Sequence, residues 1–323
     1  MVEACHACPG PRPGSWPAAH AGSGRQRRRR LWQAGFFVLF VLAPVLDIFR
    51  YDLNLDHAIF FGQAWTLGID PLLAGEATPL EATINIILRG FLPLLGIVLV
   101  FGWVSWKYGR LYCGWLCPHF SVLETINNLM RRAIGKASLW DREPLAPHRP
   151  DGSPLPRSPA WWLLVVPAVV GFAFLWAVVL LTYLLPPAEI YANLWHLSLT
   201  RNQLLFIGVG TFLLSIEFMF ARHLFCRFAC AVGVFQSFVW MANRRALVVS
   251  FDRANAARCK GCDNSCEDEC PMRLKPRSIK RRMFTCTECG QCLSACEQVQ
   301  AQRGQPSLLT WQRGQSALQE SDR

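Results

Sequence analysis

Eight cysteines lie close together toward the carboxyl-terminal end of the 323-residue sequence, and they carry its strongest chemical signal. They form two runs of four with only two or three residues between successive thiols. The cysteines are Cys259, Cys262, Cys266, Cys270, Cys286, Cys289, Cys292 and Cys296. Thiolates at such spacings are ligands of iron–sulfur clusters or of structural zinc. The pattern therefore predicts metal centres.

The second run has the CxxCxxCxxxC spacing of bacterial ferredoxins, in which three thiolates hold one [4Fe-4S] cluster and the fourth reaches its neighbour. The first run has one extra residue between its second and third cysteines. By this crossover rule, one cluster takes Cys259, Cys262, Cys266 and Cys296, and the other takes Cys286, Cys289, Cys292 and Cys270. Zinc is the main alternative, since zinc sites also use CxxC pairs. The closely spaced third cysteine in each run favours iron–sulfur.

Four further cysteines form a repeat with a constant offset of 113 residues. Cys113 and Cys117 recur as Cys226 and Cys230, and the residues around them agree as well. We expect each half to contain two spanning helices, a Cx3C pair at the cytoplasmic mouth and a shorter amphipathic helix. Because a helix amino terminus stabilises a thiolate, we predict redox or metal chemistry at these cysteines. The alternative is that they are small buried side chains.

Composition indicates a lipid environment for the elements that carry these cysteines. Apolar residues make up 52% and charged residues 17% of the sequence, against about 25% charged in ordinary soluble domains. Four apolar runs are long enough to cross a bilayer as helices. They are Leu31–Phe49, Ile84–Trp106, Ala160–Leu185 and Leu204–Ala221. Three runs contain one charge each, Asp47, Arg89 or Glu217, and the first two of these are expected to pair.

The distribution of basic residues predicts the orientation in the membrane. All but three of the 33 lysines and arginines lie before the first run, between the second and third, or after the fourth. The positive-inside rule therefore places both termini in the cytoplasm of a bacterial-type inner membrane protein. The basic residues that give the net charge of +11 lie at the ends of the apolar runs. We therefore expect the lipid bilayer, and no nucleic acid, as a partner. Disulfides are not expected in this reducing compartment.

The predicted fold is an all-α membrane protein, with four transmembrane helices in two repeats and a small cytoplasmic ferredoxin-like module holding two [4Fe-4S] clusters. The expected segments are a disordered basic amino terminus (1–30), a first membrane repeat (31–145), a second membrane repeat (146–249), the dicluster module (250–300) and a disordered tail (301–323). Cys5 and Cys8 form a lone CxxC that we interpret as unliganded. His119 and His223 flank the Cx3C pairs and are candidate copper or haem ligands.

These motifs resemble the membrane-bound polyferredoxins of the NapH, CcoG and NosR group. The resemblance rests on Cys113-Gly-Trp-Leu-Cys117-Pro118, on Cys226-Arg-Phe-Ala-Cys230 and on both cysteine runs, and it covers residues 31–300. It implies cytoplasmic [4Fe-4S] clusters and redox-active Cx3CP motifs near the bilayer. Members of the NapH type resemble quinol dehydrogenases that pass electrons toward periplasmic reductases, with quinone as a further cofactor. The CcoG type is linked to copper reduction during oxidase assembly.

The function we expect is inner-membrane electron transfer between quinol, or a membrane redox centre, and a respiratory reductase or oxidase subunit. Such a protein is an electron carrier and a candidate component of a quinol dehydrogenase, not a stand-alone enzyme. A second hypothesis is an assembly factor that reduces copper or another metal for a maturation partner. A third is a membrane redox sensor. The sequence carries no nucleotide-binding loop, and no catalytic acid, base or nucleophile is predicted.

Overall fold

The computed structural model describes residues 23–141, 143–221, 223–260 and 262–321. The described chain is mostly helical. Its α-helices are α1 (Ser23–Leu42), α2 (Asp70–Leu73), α3 (Pro79–Ile86), α4 (Leu92–Tyr108), α5 (Leu111–Trp115), α6 (Pro118–Ile134), α7 (Trp162–Thr182), α8 (Pro187–Trp195), α9 (Arg201–Ile216), α10 (Ala231–Ala242), α11 (Ser265–Asp268), α12 (Gln291–Ala301) and α13 (Gln315–Ser321). Its strands are β1 (Phe49–Asp52), β2 (His57–Phe60), β3 (Gln63–Trp65), β4 (Val248–Phe251) and β5 (Leu309–Gln312). Its π-helical segments are Ile87–Phe91, Glu217–Ala221 and Phe225–Ala229.

Within the described part of the chain, three continuous helical stretches are long and apolar enough to cross a bilayer. They are Pro79–Tyr108, Pro159–Thr182 and Arg201–Ala221. The shortest has 21 residues, and at 1.5 Å per residue it reaches about 30 Å, the thickness of the hydrocarbon core. These stretches coincide with the second, third and fourth predicted spans, which are thereby confirmed as apolar helices.

The first predicted span differs from the structure. Helix α1 begins at Ser23 and ends at Leu42, so the predicted span Leu31–Phe49 is helical only in its first part. That part is about 18 Å long, which is less than the bilayer core. Pro44 follows the helix end and cannot supply the backbone N–H that would continue it. A count of four spans therefore remains a proposal.

The described chain forms two compact units, one built from residues up to 35, from 104–168 and from 218 onward, and the other from 36–103 and 169–217. The second unit contains a three-stranded antiparallel sheet in the order β1-β2-β3, which the all-α prediction did not include. It also contains a helical core. Its fully packed residues are Val178, Leu181, Ile190 and Ile207.

An ion-pair cluster in the second unit corrects the predicted pairing of Asp47 with Arg89. Arg50 Nε donates to Asp47 at 2.6 Å, and Arg50 Nη1 donates to Asp52 at 2.6 Å. Asp52 is 1% exposed, so its charge is compensated inside the unit. Asp47 thus pairs with a residue three positions along the chain, and the Arg89 backbone carbonyl accepts a hydrogen bond from Trp65.

The first unit contains the antiparallel pair β4-β5, and β5 lies in the tail that was expected to be disordered. Leu308 and Leu309 are 2% and 1% exposed. Glu320 of α13 accepts hydrogen bonds from Arg253 at 2.6 and 2.9 Å. The prediction of disorder is therefore wrong for residues 309–321, because a few apolar side chains within a polar segment are enough to pack against β4.

The structure describes only the last residues, from Ser23 on, of the amino-terminal segment (1–30) that was expected to be disordered. Cys5 and Cys8 lie outside the described residues. The end of the segment expected to be disordered, from Ser23 to Arg30, forms the first turns of α1. Arginine is a good helix former, and these turns are anchored by contacts described below.

Candidate metal centres

The first cavity brings together four of the eight cysteines. Cys259, Cys262, Cys266 and Cys296 line a space of about 370 Å³, together with apolar side chains such as Phe251. A 3-10 turn ends at Cys259, α11 carries Cys266, and α12 carries Cys296. The arrangement gathers three thiols of the first run and the last thiol of the second run.

The second cavity contains the other four cysteines. Cys270, Cys286, Cys289 and Cys292 line a space of about 350 Å³. Its remaining walls are apolar and include Val249, Met272, Leu274, Pro276 and Met283. Cys289 and Cys292 are buried. Each cavity thus contains one of the two sets of four cysteines expected from the crossover rule.

Helix α12 explains how one run serves two cavities. Cys292 and Cys296 lie one helical turn apart, about 6 Å along the axis, and each faces a different cavity. Metal centres in the two cavities would therefore be near neighbours.

Burial dominates the electrostatics of these thiols. It raises the pKa of Cys266 to about 12 and the pKa of Cys270 to about 11. Burial raises the pKa of Cys286 and Cys292 well above the ordinary value, and neighbouring negative charges raise both further. Thiols in such surroundings become thiolates when a metal cation replaces their protons. The donor set therefore fits a thiolate-bound metal.

The spacing of the sulfurs bears on the zinc alternative. Among the described residues, no three His, Cys, Asp or Glu side chains are close enough together to hold a single metal ion. A zinc ion would hold its thiol ligands about 2.3 Å from one metal atom, whereas thiols around a core of several metal atoms are spaced more widely.

Glu288 is a residue at the second cavity that the sequence analysis missed. It is 0% exposed, has a positive φ of 48° and lies between Cys286 and Cys289. Neither carboxylate oxygen makes a hydrogen bond of ordinary geometry. Burial raises the pKa of Glu288 to about 8, although the Cys286 thiol, the Trp311 indole and the Lys280 ammonium each lower it. In the sequence, Glu288 could have been recognised as the one charged residue between Cys286 and Cys289.

The two Cx3C pairs keep their repeat relationship in the backbone. Cys117 is the residue before α6, and Cys230 is the residue before α10. The backbone N–H of Cys117 donates to Tyr112 O at 2.9 Å, and that of Cys230 donates to Phe225 O at 2.9 Å. The second cysteine of each pair therefore lies at the amino terminus of a helix.

The four Cx3C thiols lie close enough to influence one another. Burial raises the pKa of Cys117 to about 12, and negative charges on Cys113 and Cys230 raise it further. Burial also raises the pKa of Cys226, and negative charges on the other three thiols have the same effect. Arg110 Nη2 lies 3.9 Å from Cys113 Sγ and donates to the Cys226 carbonyl oxygen at 2.7 Å, so the fold brings the two halves of the repeat together. His119 packs against the Phe218 and Phe225 rings, with centroids 5.3 Å away.

The first Cx3C pair also touches the second cavity. A Cβ added at Gly114 would lie 2.1 Å from the Thr287 carbonyl oxygen and 3.3 Å from Cys289 Cα. Trp115 Nε1 donates to the Glu288 carbonyl oxygen at 3.0 Å. The segment between Cys113 and Cys117 therefore packs directly on the loop that carries two cysteines of the second cavity.

Comparisons with known proteins detect the same duplication. A family model described as "4Fe-4S binding domain" matches residues 90–137 and again residues 202–248. Each match contains one Cx3C pair, so the duplication is detected independently of the 113-residue offset. No solved structure matches this chain.

Three relatives show the extent of the similarity. The ferredoxin-type protein NapH of Escherichia coli is 25% identical over 84% of this chain and 85% of its own length. YccM of Escherichia coli, named as an electron transport protein, is 24% identical over 70% of this chain and 56% of its own length. The regulatory protein NosR of Stutzerimonas stutzeri is 26% identical over 54% of this chain and 22% of its own length. The chain therefore spans little more than half of YccM and less than a quarter of NosR.

Proposed function

We propose that this chain, which belongs to the NapH and NosR group of membrane polyferredoxins, exchanges electrons between quinol in the membrane and a respiratory partner enzyme. It is an iron–sulfur electron transport protein with membrane-spanning helices. The donor, the number of clusters and the partner belong to the proposal. We further propose that it lies in a bacterial-type inner membrane with both termini in the cytoplasm.

The observation that carries the proposal is the meeting of eight cysteines in two cavities of four. We assign the first cavity and the second cavity one [4Fe-4S] cluster each. A cluster of this type supplies a one-electron redox change without a bound substrate. Two such groups beside one another form a relay, and the rest of the molecule serves to hold and insulate them.

The protein's own residues have separate tasks in this relay. Apolar walls formed by residues such as Met272 and Leu309 keep water away from the thiolates. Arg277 lines the first cavity and pairs with Glu267 at 2.6 Å. Burial raises the pKa of Cys259 and Cys266, and the positive charge of Arg277 offsets part of that effect. A cation there favours the ionised thiols that a metal needs.

Quinol is proposed as the membrane partner because the spanning helices lead to the Cx3C thiols. The helix that ends at Tyr108 is followed at once by α5, which carries Cys113. Gly114 then packs against the loop of the second cavity. This contact supports an order in which the membrane end exchanges electrons with the second cavity before the first.

The test is a comparison of cysteine variants in the full chain purified from membranes. Cys286→Ala and Cys259→Ala are each expected to lose the iron of one [4Fe-4S] cluster, since each removes a ligand from one cavity. EPR of the reduced wild-type protein is expected to show two interacting clusters, and either variant should abolish the interaction. Ser294→Ala, on α12 between two ligands, is the matched control and should keep both signals.

Two results would contradict the proposal. Zinc without iron in the wild-type protein would exclude the relay. Full iron content in both cysteine variants would exclude the ligand assignment. The quinol step is checked separately by adding a reduced quinol analogue and following bleaching of the cluster absorbance, which Cys113→Ala is expected to slow.

Reduction of copper for a metalloenzyme is a second candidate, and the four clustered Cx3C thiols favour it because thiolates suit Cu(I). Copper bound in stoichiometric amount, and lost in both Cys113→Ala and Cys226→Ala, would favour this function over quinol oxidation. Quinol-dependent cluster reduction in a copper-free preparation would favour electron transport.

A further inference from the structure

Arg110 is a buried cation without a carboxylate partner in the described part of the chain. It is 1% exposed. Its Nη2 donates to the Cys226 carbonyl oxygen at 2.7 Å and lies 3.9 Å from Cys113 Sγ. Its Nε and Nη1 atoms are buried and find no acceptor among the described residues. Because a buried charge is costly unless it is compensated, this guanidinium requires an anion nearby.

The acidic groups around Arg110 are thiols. One of them, the Cys113 sulfur, lies 3.9 Å from Arg110 Nη2. Gln236, which is 1% exposed, points its amide at the same sulfur, with Nε2 lying 3.2 Å from Cys113 Sγ. Two polar donors are thus directed at one sulfur in a buried site, an arrangement that suits a thiolate better than a neutral thiol.

The fold reserves space for this guanidinium. A Cβ added at Gly233 would lie 2.2 Å from Arg110 Nη2, so only glycine leaves room. The repeat places His223 opposite Arg110 and Phe120 opposite Gly233 at the same offset of 113. The first half of the repeat thus supplies the positive charge of Arg110, and the second half supplies the space for it at Gly233.

We propose that Arg110 is the counter-charge of a third metal–thiolate centre, held by Cys113, Cys117, Cys226 and Cys230. The inference rests on the redox role proposed for these thiols and assigns them an iron–sulfur core of several metal atoms. Four thiolates around such a core carry a net negative charge, which a single guanidinium offsets in part. Arg110 contacts the Cys113 sulfur and the Cys226 carbonyl, so it is a positioning residue. Both matches of the 4Fe-4S family model fall on these pairs.

The experiment uses the full chain purified anaerobically from membranes, with Cys113→Ala to define the metal that belongs to this centre. Arg110→Gln is expected to lose that same metal to a chelator at about 10- to 100-fold lower chelator concentration than wild type, as is usual when a supporting contact of a metal site is removed. Arg110→Lys keeps the charge and is expected to retain the metal. Arg132→Gln, which removes an arginine stacked on Trp161, is the matched control.

Redox titration supplies an independent measurement. The Cys113-dependent signal is expected to shift to a lower midpoint potential in Arg110→Gln, because loss of the positive charge makes the addition of an electron less favourable. Arg110→Lys keeps the charge and is expected to shift the potential by less. An Arg110→Gln protein with unchanged metal retention and unchanged potential would overturn the inference. A Cys113→Ala protein with the full metal content of wild type would overturn it as well.

A folding defect is distinguished by two further measurements. If Arg110→Gln does not accumulate in membranes, Gly233→Ala replaces it, since the added methyl displaces the guanidinium without changing any charge. Gly233→Ala that retains the Cys113-dependent metal as wild type does would overturn the inference. The EPR signal of the eight-cysteine module reports on the proposed function alone. If the wild-type protein shows no such signal, the proposed function is refuted. If the signal is present but no metal depends on Cys113, only the third centre is refuted.

Discussion

At the scale of single residues, Arg29 shows how the chain fixes its first Cx3C pair. Arg29 is 2% exposed, pairs with both carboxylate oxygens of Glu124 and donates to the Gly114 carbonyl oxygen at 3.1 Å. Gln33 donates to Glu124 at 2.9 Å. One guanidinium thus ties α1 to both α5 and α6. Neighbouring Arg28 is exposed, so the four arginines of this segment are not equivalent.

Arg29→Met is expected to destabilise the purified protein by up to about 3 kcal/mol, because it leaves the partly buried Glu124 carboxylate without a counter-charge, with only amide donors from Gln33 and Gln291. The measurement is thermal or denaturant unfolding in detergent. Arg28→Met, one residue away on the exposed face, should have little effect. Arg29→Met combined with Glu124→Met should recover part of the loss, and equal stability of Arg29→Met and Arg28→Met would contradict the argument.

The chemistry of the site could be predicted where it depends on local spacing. The three closely spaced cysteines of each run can be recognised from the sequence because a loop of that length holds them near one another whatever the rest of the fold does. Glu288 and Arg110 could not be identified in this way. The Arg110 contact with the Cys226 carbonyl joins residues 116 positions apart, and the burial of Glu288 depends on β5 and the 3-10 turn that carries Lys280. Neither feature leaves a periodic pattern.

At the scale of secondary-structure elements, the contact of α5 with the Thr287–Cys289 loop joins the Cx3C segment to the second cavity. It requires glycine at position 114, since any Cβ would meet the Thr287 carbonyl oxygen at 2.1 Å. Gln26 supports the loop from α1, with its amide donating to the Cys289 carbonyl oxygen at 3.2 Å. Two helices therefore hold the backbone of one short cysteine loop.

Gly114→Ala is expected to separate α5 from this loop and to cost about 1–3 kcal/mol, the usual effect of overpacking. The EPR signal of the second cavity should broaden or decline, and quinol-dependent reduction should slow, while the iron of the first cavity remains. Gly208→Ala in α9 is the control, because a Cβ there meets nothing within 4 Å. Identical reduction kinetics in both variants would exclude the contact as part of the electron route.

The β4-β5 pair and α13 form a second inter-element connection, and its strength depends on pH. Burial raises the pKa of Glu320, but the hydrogen bonds and charge of Arg253 and the Ser250 hydroxyl lower it more, so the pKa lies below its usual value of 4.5. The stabilisation is therefore complete above about pH 4.5 and is lost as the pH falls through the lower folded-state pKa.

Acidification below pH 4.5 is expected to release α13, and Glu320→Gln should release it already at neutral pH. Limited proteolysis near residues 315–321 measures the release. Glu76→Gln removes an exposed carboxylate elsewhere and should leave the cleavage pattern unchanged. Protection of α13 in Glu320→Gln at neutral pH, equal to wild type, would show that Arg253 does not anchor the helix.

The long apolar helices could be predicted from hydropathy, whereas the short strands and the end of α1 could not. The three long apolar stretches are visible because lipid selects every residue along about 20 positions. The strands have only three or four residues each, and β3 is exposed throughout. The end of α1 was misplaced because hydropathy continues past Leu42, whereas the helix does not survive Pro44.

At the scale of the whole molecule, the charge distribution predicts which surfaces face each compartment. Ser198 lies in the loop between the last two apolar stretches, and Ser316 lies in α13; both are exposed. A membrane-impermeant maleimide is expected to label Ser198→Cys in intact spheroplasts and to label Ser316→Cys only after lysis. The unsubstituted chain sets the background from native cysteines. The reverse labelling pattern would invert the orientation and remove the thiols from the reducing compartment.

The late position of β5 has a consequence for biosynthesis. Leu308 and Leu309 line the first cavity, and both follow the last cysteine of the module in the chain. The segment that walls off the first cavity is therefore translated after all eight thiols. Until β5 pairs with β4, the first cavity is open on one side, so a metal centre assembled there is expected to enter before this pairing is complete.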